Sequence, residues 1–180
     1  MSESGVEAMV TRSPDAATLR ALRPLLDAAF DGRFSDDDWA HALGGVHVLL
    51  REDGELVGHG SVVERQLSTQ GITLLTGYVE AVAVRPDRQG SGLGALLMDA
   101  VERELESGDY ALGALSSSRR AIGFYRARGW QQWLGPTSVR TPAGIVRTPE
   151  DDGGVYVLDV DLGFDLFAGL TCDWREGDVW

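Results

Sequence analysis

Glu80 is an acid in an apolar stretch, flanked by Val79, Ala81 and Val82. A carboxylate among such neighbours needs a reason, because burying an unpaired charge is costly. Directly after it runs Ala81-Val82-Ala83-Val84-Arg85-Pro86-Asp87-Arg88-Gln89-Gly90-Ser91-Gly92-Leu93-Gly94. This reads as a β-branched strand, a basic glycine-rich turn and the start of a helix. Such a turn at a helix N-terminus presents backbone N–H groups to a pyrophosphate, and glycine admits phosphates where a Cβ would obstruct them. The same glycines would also serve close helix–strand packing. The Gly-Lys-Ser/Thr ending of a Walker loop is missing. The preceding strands read as antiparallel, a poor context for a dinucleotide fingerprint.

The elements that must position these groups follow from hydrophobic periodicity. Ser13 is a candidate N-cap with Pro14 at the first helical position. Leu19, Leu22, Leu25, Leu26, Ala29 and Phe30 follow at helical spacing, and Pro24 should bend or split that helix. Ser35 caps a second short helix through Asp36-Asp37-Asp38, and Gly44-Gly45 closes it. Residues 46–51 and 56–65 read as strands joined at Asp53-Gly54, a hairpin signal. Another strand pair turns at Gln70-Gly71 and continues from 72 to 84. Residues 92–106 form an amphipathic helix, with Leu93, Leu96, Leu97, Ala100, Val101 and Leu105 on one face. A strand at 110–115, a helix at 119–128 stopped by Gly129, and a strand at 155–161 complete the order. Helices, then an antiparallel meander, then strand–helix–strand–helix–strand describe a mixed α/β layer fold.

Bulk properties narrow the function classes. The 180 residues suit one domain, residues 1–180, with 43% hydrophobic and 24% charged content. The formal net charge of −12 argues against a nucleic-acid partner, which needs a basic face, and suits a cationic ligand. Acidity also serves solubility alone. The single cysteine, Cys172, allows no intramolecular disulfide and fits a reducing compartment. Met1 to Thr11 shows no signal-peptide pattern, and no apolar run has the length of a membrane span. The expected location is therefore cytoplasmic. His41, His47 and His59 lack compact ligand spacing, so no metal site is expected. Ser116-Ser117-Ser118 lacks the Gly-x-Ser-x-Gly elbow of a serine nucleophile. Trp130 and Trp133 read as core or interface residues.

Gln89-Gly90-Ser91-Gly92-Leu93-Gly94 fits Gln/Arg-x-x-Gly-x-Gly/Ala at a helix start. Val82-x-Val84-Arg85-Pro86 precedes it, and Gly123-Phe124-Tyr125-Arg126-Ala127-Arg128-Gly129-Trp130 follows downstream. Together these resemble the GNAT superfamily of acetyl-coenzyme A-dependent N-acetyltransferases, over roughly residues 78 to 130. The resemblance implies the GNAT fold: a central mixed, mostly antiparallel twisted sheet with flanking helices and a splayed acetyl-CoA cleft. It implies that backbone N–H groups of Gln89, Gly90, Ser91, Gly92, Leu93 and Gly94 cradle the pyrophosphate. Val82, Ala83 and Val84 would hydrogen-bond the pantetheine arm as an added strand.

Further blocks resemble the aminoglycoside 2′-N-acetyltransferases: Tyr78-Val79-Glu80, residues 112–118, 135–139 and 148–153, and the tail from Cys172 to Trp180. That resemblance places an acidic set around a cationic acceptor: Asp38, Glu80, Asp151, Asp178 and the terminal carboxylate of Trp180. Ser116 adds a hydroxyl contact and Ala81 a backbone one. Charge-assisted hydrogen bonds are the stronger kind and orient a polycation. Each residue also has a plainer explanation. Asp38 stands where a carboxylate starts a helix, Asp151 lies in a turn-like loop, and Asp178 and Trp180 are terminal. A tail with Trp174 and Trp180 is expected to dock. The amine must lose a proton before attack, and the thiolate must gain one. Glu80 is the expected base, through an ordered water, with the Trp180 carboxylate as the alternative. Tyr125 is the candidate acid, although a core ring with a surface hydroxyl would explain it equally. A backbone N–H near Val82 would stabilise the oxyanion. No acyl-enzyme is expected, and Cys172 lies outside the motif.

Arg33 stands where an acid would be expected in relatives, so a cation there would restrict the acceptors. Two rivals remain: acetylation of another cationic amine (a cell-wall amino sugar, a polyamine or a protein N-terminus), or a non-catalytic acyl-CoA or drug-binding module. The resemblance also implies a homodimer.

Overall fold

The computed structural model describes residues 5–158 and 163–180. The order is β1 (Val6–Thr11), α1 (Ala16–Ala29), α2 (Asp36–Leu43), β2 (Val46–Glu52), β3 (Glu55–Thr69), β4 (Ile72–Val84), α3 (Leu93–Ser107), β5 (Leu112–Ser116) and α4 (Ile122–Ala127). β6 (Gln131–Gln132), β7 (Thr137–Thr141), β8 (Gly144–Arg147), β9 (Val155–Leu158) and β10 (Leu170–Asp173) follow. The chain divides into two compact units, residues 1–63 with 79–104 and residues 64–78 with 105–180. β3 and β4 each give one half to each unit.

In the first unit, β1 pairs antiparallel with β2, and β2 with β3. The β2–β3 turn sits at Asp53 (φ 51°) and Gly54 (φ 85°), the two left-handed residues that match the right-handed twist of a hairpin. A bulge between Leu50 and Arg51 shifts this register by one residue. Leu22, Leu25 and Leu26 of α1 bury against Phe34, Leu49, Leu56 and Ala83, each large side chain contributing about 2 kcal/mol relative to exposure. On the other side of β3, a Cβ on Gly60 would lie 3.1 Å from a methyl of Val101, so α3 approaches closely there.

In the second unit, β4 pairs parallel with β5 over Thr76, Gly77 and Tyr78. β5 pairs antiparallel with β9, and β9 with β6. On the other flank, β3 pairs antiparallel with β10, β10 parallel with β7, and β7 antiparallel with β8. The pairing is mixed and mostly antiparallel, as the sequence predicts. The core holds Leu67, Tyr78, Leu112, Trp133, Val155, Val157, Leu170, Cys172 and Trp180.

Several local expectations are corrected. The cap of α1 is Asp15, not Ser13: its carboxylate accepts the Thr18 N–H at 2.7 Å, and a charged acceptor suits the positive end of a helix. Pro24 does not split α1, which runs unbroken through it. Pro24 is exposed, so water can satisfy the carbonyl its ring leaves unbonded, while the buried leucines on the opposite face hold the helix. The first element among the described residues is a strand, β1, rather than a helix. α4 starts at Ile122 rather than 119, and β5 starts at Leu112 rather than 110. β6, β7, β8 and β10 are additional strands. The last predicted strand is present as β9, and its final residues, 159–161, lie outside the described residues.

Candidate active site

In the first unit the site is built on the second half of β4. Glu80 and Ala81 are half-buried there. Ala81 has φ 50°, a left-handed conformation costing a residue with a Cβ about 1–2 kcal/mol. It is held by a hydrogen bond: His59 Nδ1 lies 2.8 Å from the Ala81 carbonyl. His59 Nε2 lies in turn 2.9 Å from His47 Nδ1. Both rings are fully buried. Burial pushes the His59 pKa down to about 4 and lowers that of His47, so both are neutral at physiological pH. A carbonyl accepts only, so His59 carries its proton on Nδ1. Its Nε2 then accepts from His47 Nδ1–H.

Beyond Val84 the chain makes a tight turn over Pro86–Arg88 and enters α3. Gly90 (φ 75°) and Gly92 (φ 86°) are both left-handed, and nothing lies within 4 Å of a Cβ built on either. Open space in front of two glycines, at the start of a helix of 15 residues, suits a phosphate group bound by backbone N–H donors. The basic side chains of the turn are already engaged. Arg85 pairs with Asp87 at 2.7 Å and Glu55 at 3.1 Å, and Arg88 pairs with Glu52. Gln89 Nε2 donates to the Val84 carbonyl at 3.1 Å, fastening turn to strand. The cradle is therefore a backbone feature. Asp38 lies in the same unit, in a reciprocal capping box: it accepts the Ser35 N–H at 2.8 Å, and the Ser35 hydroxyl accepts the Asp38 N–H at 3.0 Å. Arg33 pairs loosely with Asp31 at 3.6 Å, both exposed.

The second unit holds Ser116, Tyr125, Asp151, Asp178 and Trp180. Ser116 ends β5, exposed, opposite Val155. Tyr125 is buried, its ring edge-on to Trp130 with centroids 6.0 Å apart. Asp151 and Asp178 are brought together by the docked tail. The indole N–H of Trp180 donates to Thr148 Oγ1 at 2.9 Å, a buried contact. Asp178 Oδ1 accepts the Trp180 N–H at 3.1 Å. Arg175 donates to the main-chain oxygens of Asp178 (2.7 Å) and Trp180 (3.1 Å), and its guanidinium lies 5.5 Å from the Tyr78 ring. Burial, then the charges of Asp178 and Glu150, raise the Asp151 pKa to about 6. Asp152 differs from its neighbour. It bonds Arg147 at 2.8 Å and the Thr137 N–H at 2.8 Å, and these partners hold its pKa well below the usual range.

A family model described as the acetyltransferase (GNAT) family matches residues 17–130. The aminoglycoside 2′-N-acetyltransferase of Mycolicibacterium fortuitum is 52% identical over 174 residues, covering 94% of this chain and 89% of that protein. The chain belongs to the GNAT acetyltransferase family. Two solved structures share the fold. The GNAT family N-acetyltransferase YhbS from Escherichia coli, in complex with CoA, gives a TM-score of 0.67 at 15% identity, covering 98% of this chain and 94% of that one. A GNAT family acetyltransferase from Brucella melitensis, in complex with acetyl-CoA, gives 0.63 at 17% identity, covering 91% and 93%.

For a GNAT enzyme the sequence-based list of site residues lacks His59, His47, Arg175 and Thr148, which hold the listed residues in place. Arg175 was open to recognition as a cation in an otherwise acidic tail. The buried Cys172 thiol donates to the Val179 carbonyl at 3.4 Å, and burial raises its pKa to about 11, so it stays protonated. Among the described residues, no group of three or more His, Cys, Asp or Glu could hold a metal ion, and no helix is long and apolar enough to cross a membrane.

Proposed function

We propose that this GNAT enzyme transfers the acetyl group of acetyl-CoA to the 2′-amino group of aminoglycosides by direct attack, conferring resistance. The observation that carries this reading is the 52% identity with the M. fortuitum enzyme, which extends over 94% of the chain and so reaches well beyond the coenzyme motif. The carboxyl of Asp151, raised first by burial and then by the charges of Asp178 and Glu150, supports it. A site whose carboxylates repel one another gains most from a polycation. The whole chain, residues 1–180, acts as one acetyltransferase domain, cytoplasmic and homodimeric. Phe167, 73% exposed, and the neighbouring Leu134, 51% exposed, suit the partner surface of a dimer.

Roles follow from chemistry and placement. Val82, Ala83 and Val84 bind the pantetheine arm, and the backbone of Gln89 to Gly94 binds the pyrophosphate. Asp38, Ser116, Asp151, Asp178, the Ala81 backbone and Trp180 bind the acceptor. Glu80 takes the amine proton through a water. The Trp180 oxygen is the weaker candidate base, because the Arg175 guanidinium beside it stabilises negative charge there. Tyr125 returns a proton to the thiolate.

Thiol release from acetyl-CoA tests the reaction. Aminoglycosides with a 2′-amine support turnover, and those with a 2′-hydroxyl do not. Equal turnover with both, or none with either, overturns the assignment. Glu80→Gln lowers kcat by about 10²-fold or more and Tyr125→Phe by about 10-fold or more, with smaller effects on KM. An unchanged kcat removes that residue from the proton transfers.

A further inference from the structure

The hydrogen-bonded chain that begins at His47 does not stop at the Ala81 carbonyl. That carbonyl belongs to the peptide whose other end is the Val82 N–H. The orientation of this N–H follows from its neighbours. Arg85 N donates to Val57 O on β3 at 2.8 Å, and the Ala83 carbonyl lies 3.5 Å from a Cβ built on Gly58. Residues 83 and 85 therefore address β3. Val84 faces the other way, its carbonyl accepting from Gln89. Alternation of backbone groups along a strand gives Val82 the same direction as Val84, away from β3. The parallel pairing of β4 with β5 covers only Thr76, Gly77 and Tyr78.

We propose that His59, backed by His47, is a positioning residue for acetyl transfer: its Nδ1–H holds the Ala81 carbonyl and so aims the Val82 N–H at the thioester oxygen. Donors run one way along the chain, from His47 to His59, from His59 to the Ala81 carbonyl, and through the peptide to Val82. Hydrogen bonds in series polarise one another, which strengthens the last donor. Attack by the neutral amine forms the C–N bond and moves the carbonyl π pair onto oxygen. Collapse returns that pair and breaks the C–S bond, leaving a thiolate that takes up a proton while the nitrogen loses one. A donor fixed where the oxygen gains charge favours the transition state over the ground state. The left-handed Ala81 is then what the peptide's orientation requires, and the buried imidazole is what keeps it there. The inference rests on acetyl transfer, the family's chemistry, and is independent of which amine is the acceptor.

The test exploits side-chain geometry. Asparagine at 59 places an amide N–H where the imidazole Nδ1 stands, whereas glutamine places one where Nε2 stands. His59→Asn therefore keeps the bond to Ala81, and His59→Gln loses it. Both disturb His47 and lower Tm. His59→Gln lowers kcat about 30-fold with KM for acetyl-CoA within about 3-fold, less than the ~10²–10³-fold of deleting an oxyanion donor because the N–H is misaimed rather than removed, and His59→Asn keeps kcat within about 5-fold of the wild type. An equal loss of kcat in both variants, or no loss in the glutamine variant, overturns the proposal. In the unmodified enzyme, 15N NMR of the imidazoles shows both rings protonated on Nδ1, and an Nε2–H tautomer at His59 overturns it too. Thiol release is followed with whichever amine the wild-type enzyme accepts. Failure of 2′-amino aminoglycosides as acceptors thus overturns the proposed function without touching the His59 comparison.

Discussion

Asp151 is protonated below about pH 6 because its carboxyl is partly buried and faces Asp178 and Glu150. A carboxyl raised above its ordinary 3.8 favours the folded chain only while protonated. That contribution is whole below pH 3.8 and is lost as pH rises through about 6. Asp151→Asn therefore raises Tm at pH 7.5, by about 2 °C after allowance for solvent screening, and leaves it unchanged at low pH. A bound polycation acts in the opposite direction, since it favours the ionised carboxylate. KM for the aminoglycoside rises as pH falls through about 6, and the asparagine variant loses that step; KM measured between pH 5 and 8 checks both. Three acids in a row, Glu150-Asp151-Asp152, look alike in sequence. Structure separates them because Asp152 is committed to Arg147 and Thr137, whereas Asp151 is left facing Asp178. Glu80 was legible because an acid among apolar neighbours is conspicuous. The His47–His59 pair was not. Counted from the Asp53-Gly54 turn, an unbroken register would put the two rings on opposite faces of the hairpin. The bulge at Leu50/Arg51 shifts the pairing to His47↔Ser61 and Leu49↔His59 and brings them to one face. A one-residue slip reverses every side chain beyond it, and nothing in the composition of Leu50 or Arg51 announces it.

At the scale of elements, the hairpins and α3 were readable because Asp53-Gly54, Gln70-Gly71 and the leucine spacing of residues 93–105 each have one geometric solution. β1 was not readable. Four of its six residues are exposed, so it carries no inside–outside alternation and is fixed only by pairing with β2. β6 and β8 are two and four residues long, too short for any periodicity. The segment before β7 depends on one close approach: a Cβ on Gly135 would lie 1.9 Å from the Ala168 carbonyl oxygen and 2.7 Å from that of Phe167. Gly135→Ala must displace backbone rather than a side chain. Thermal unfolding should show a loss of about 3 kcal/mol or more, a drop in Tm of roughly 6–12 °C. Gly90→Ala and Gly92→Ala meet no such obstacle, but at φ 75° and 86° each carries a left-handed strain of about 1–2 kcal/mol, and beyond that modest loss of Tm their effect falls on KM for acetyl-CoA.

For the whole molecule, a net charge of −12 attracts a polycationic acceptor and repels an anionic donor. Raising NaCl from about 0.02 M to about 0.5 M lowers kcat/KM for the aminoglycoside about 3- to 10-fold, while KM for acetyl-CoA does not rise. Initial rates at fixed saturation of the second substrate measure this. The order of synthesis adds a constraint that follows from β10. This strand lies between β3 and β7, and Arg65, 3% exposed, reaches 108 residues along the chain to Asp173. Until residue 173 emerges from the ribosome, the edge of β3 at Leu67–Thr69 and the edge of β7 opposite β8 each lack the β10 partner that covers them. Exposed edges invite pairing with other chains, and such a long-range closure is slow. A nascent or truncated chain thus spends its youth as a template for aggregation, and the arrival of β10 is what ends that hazard.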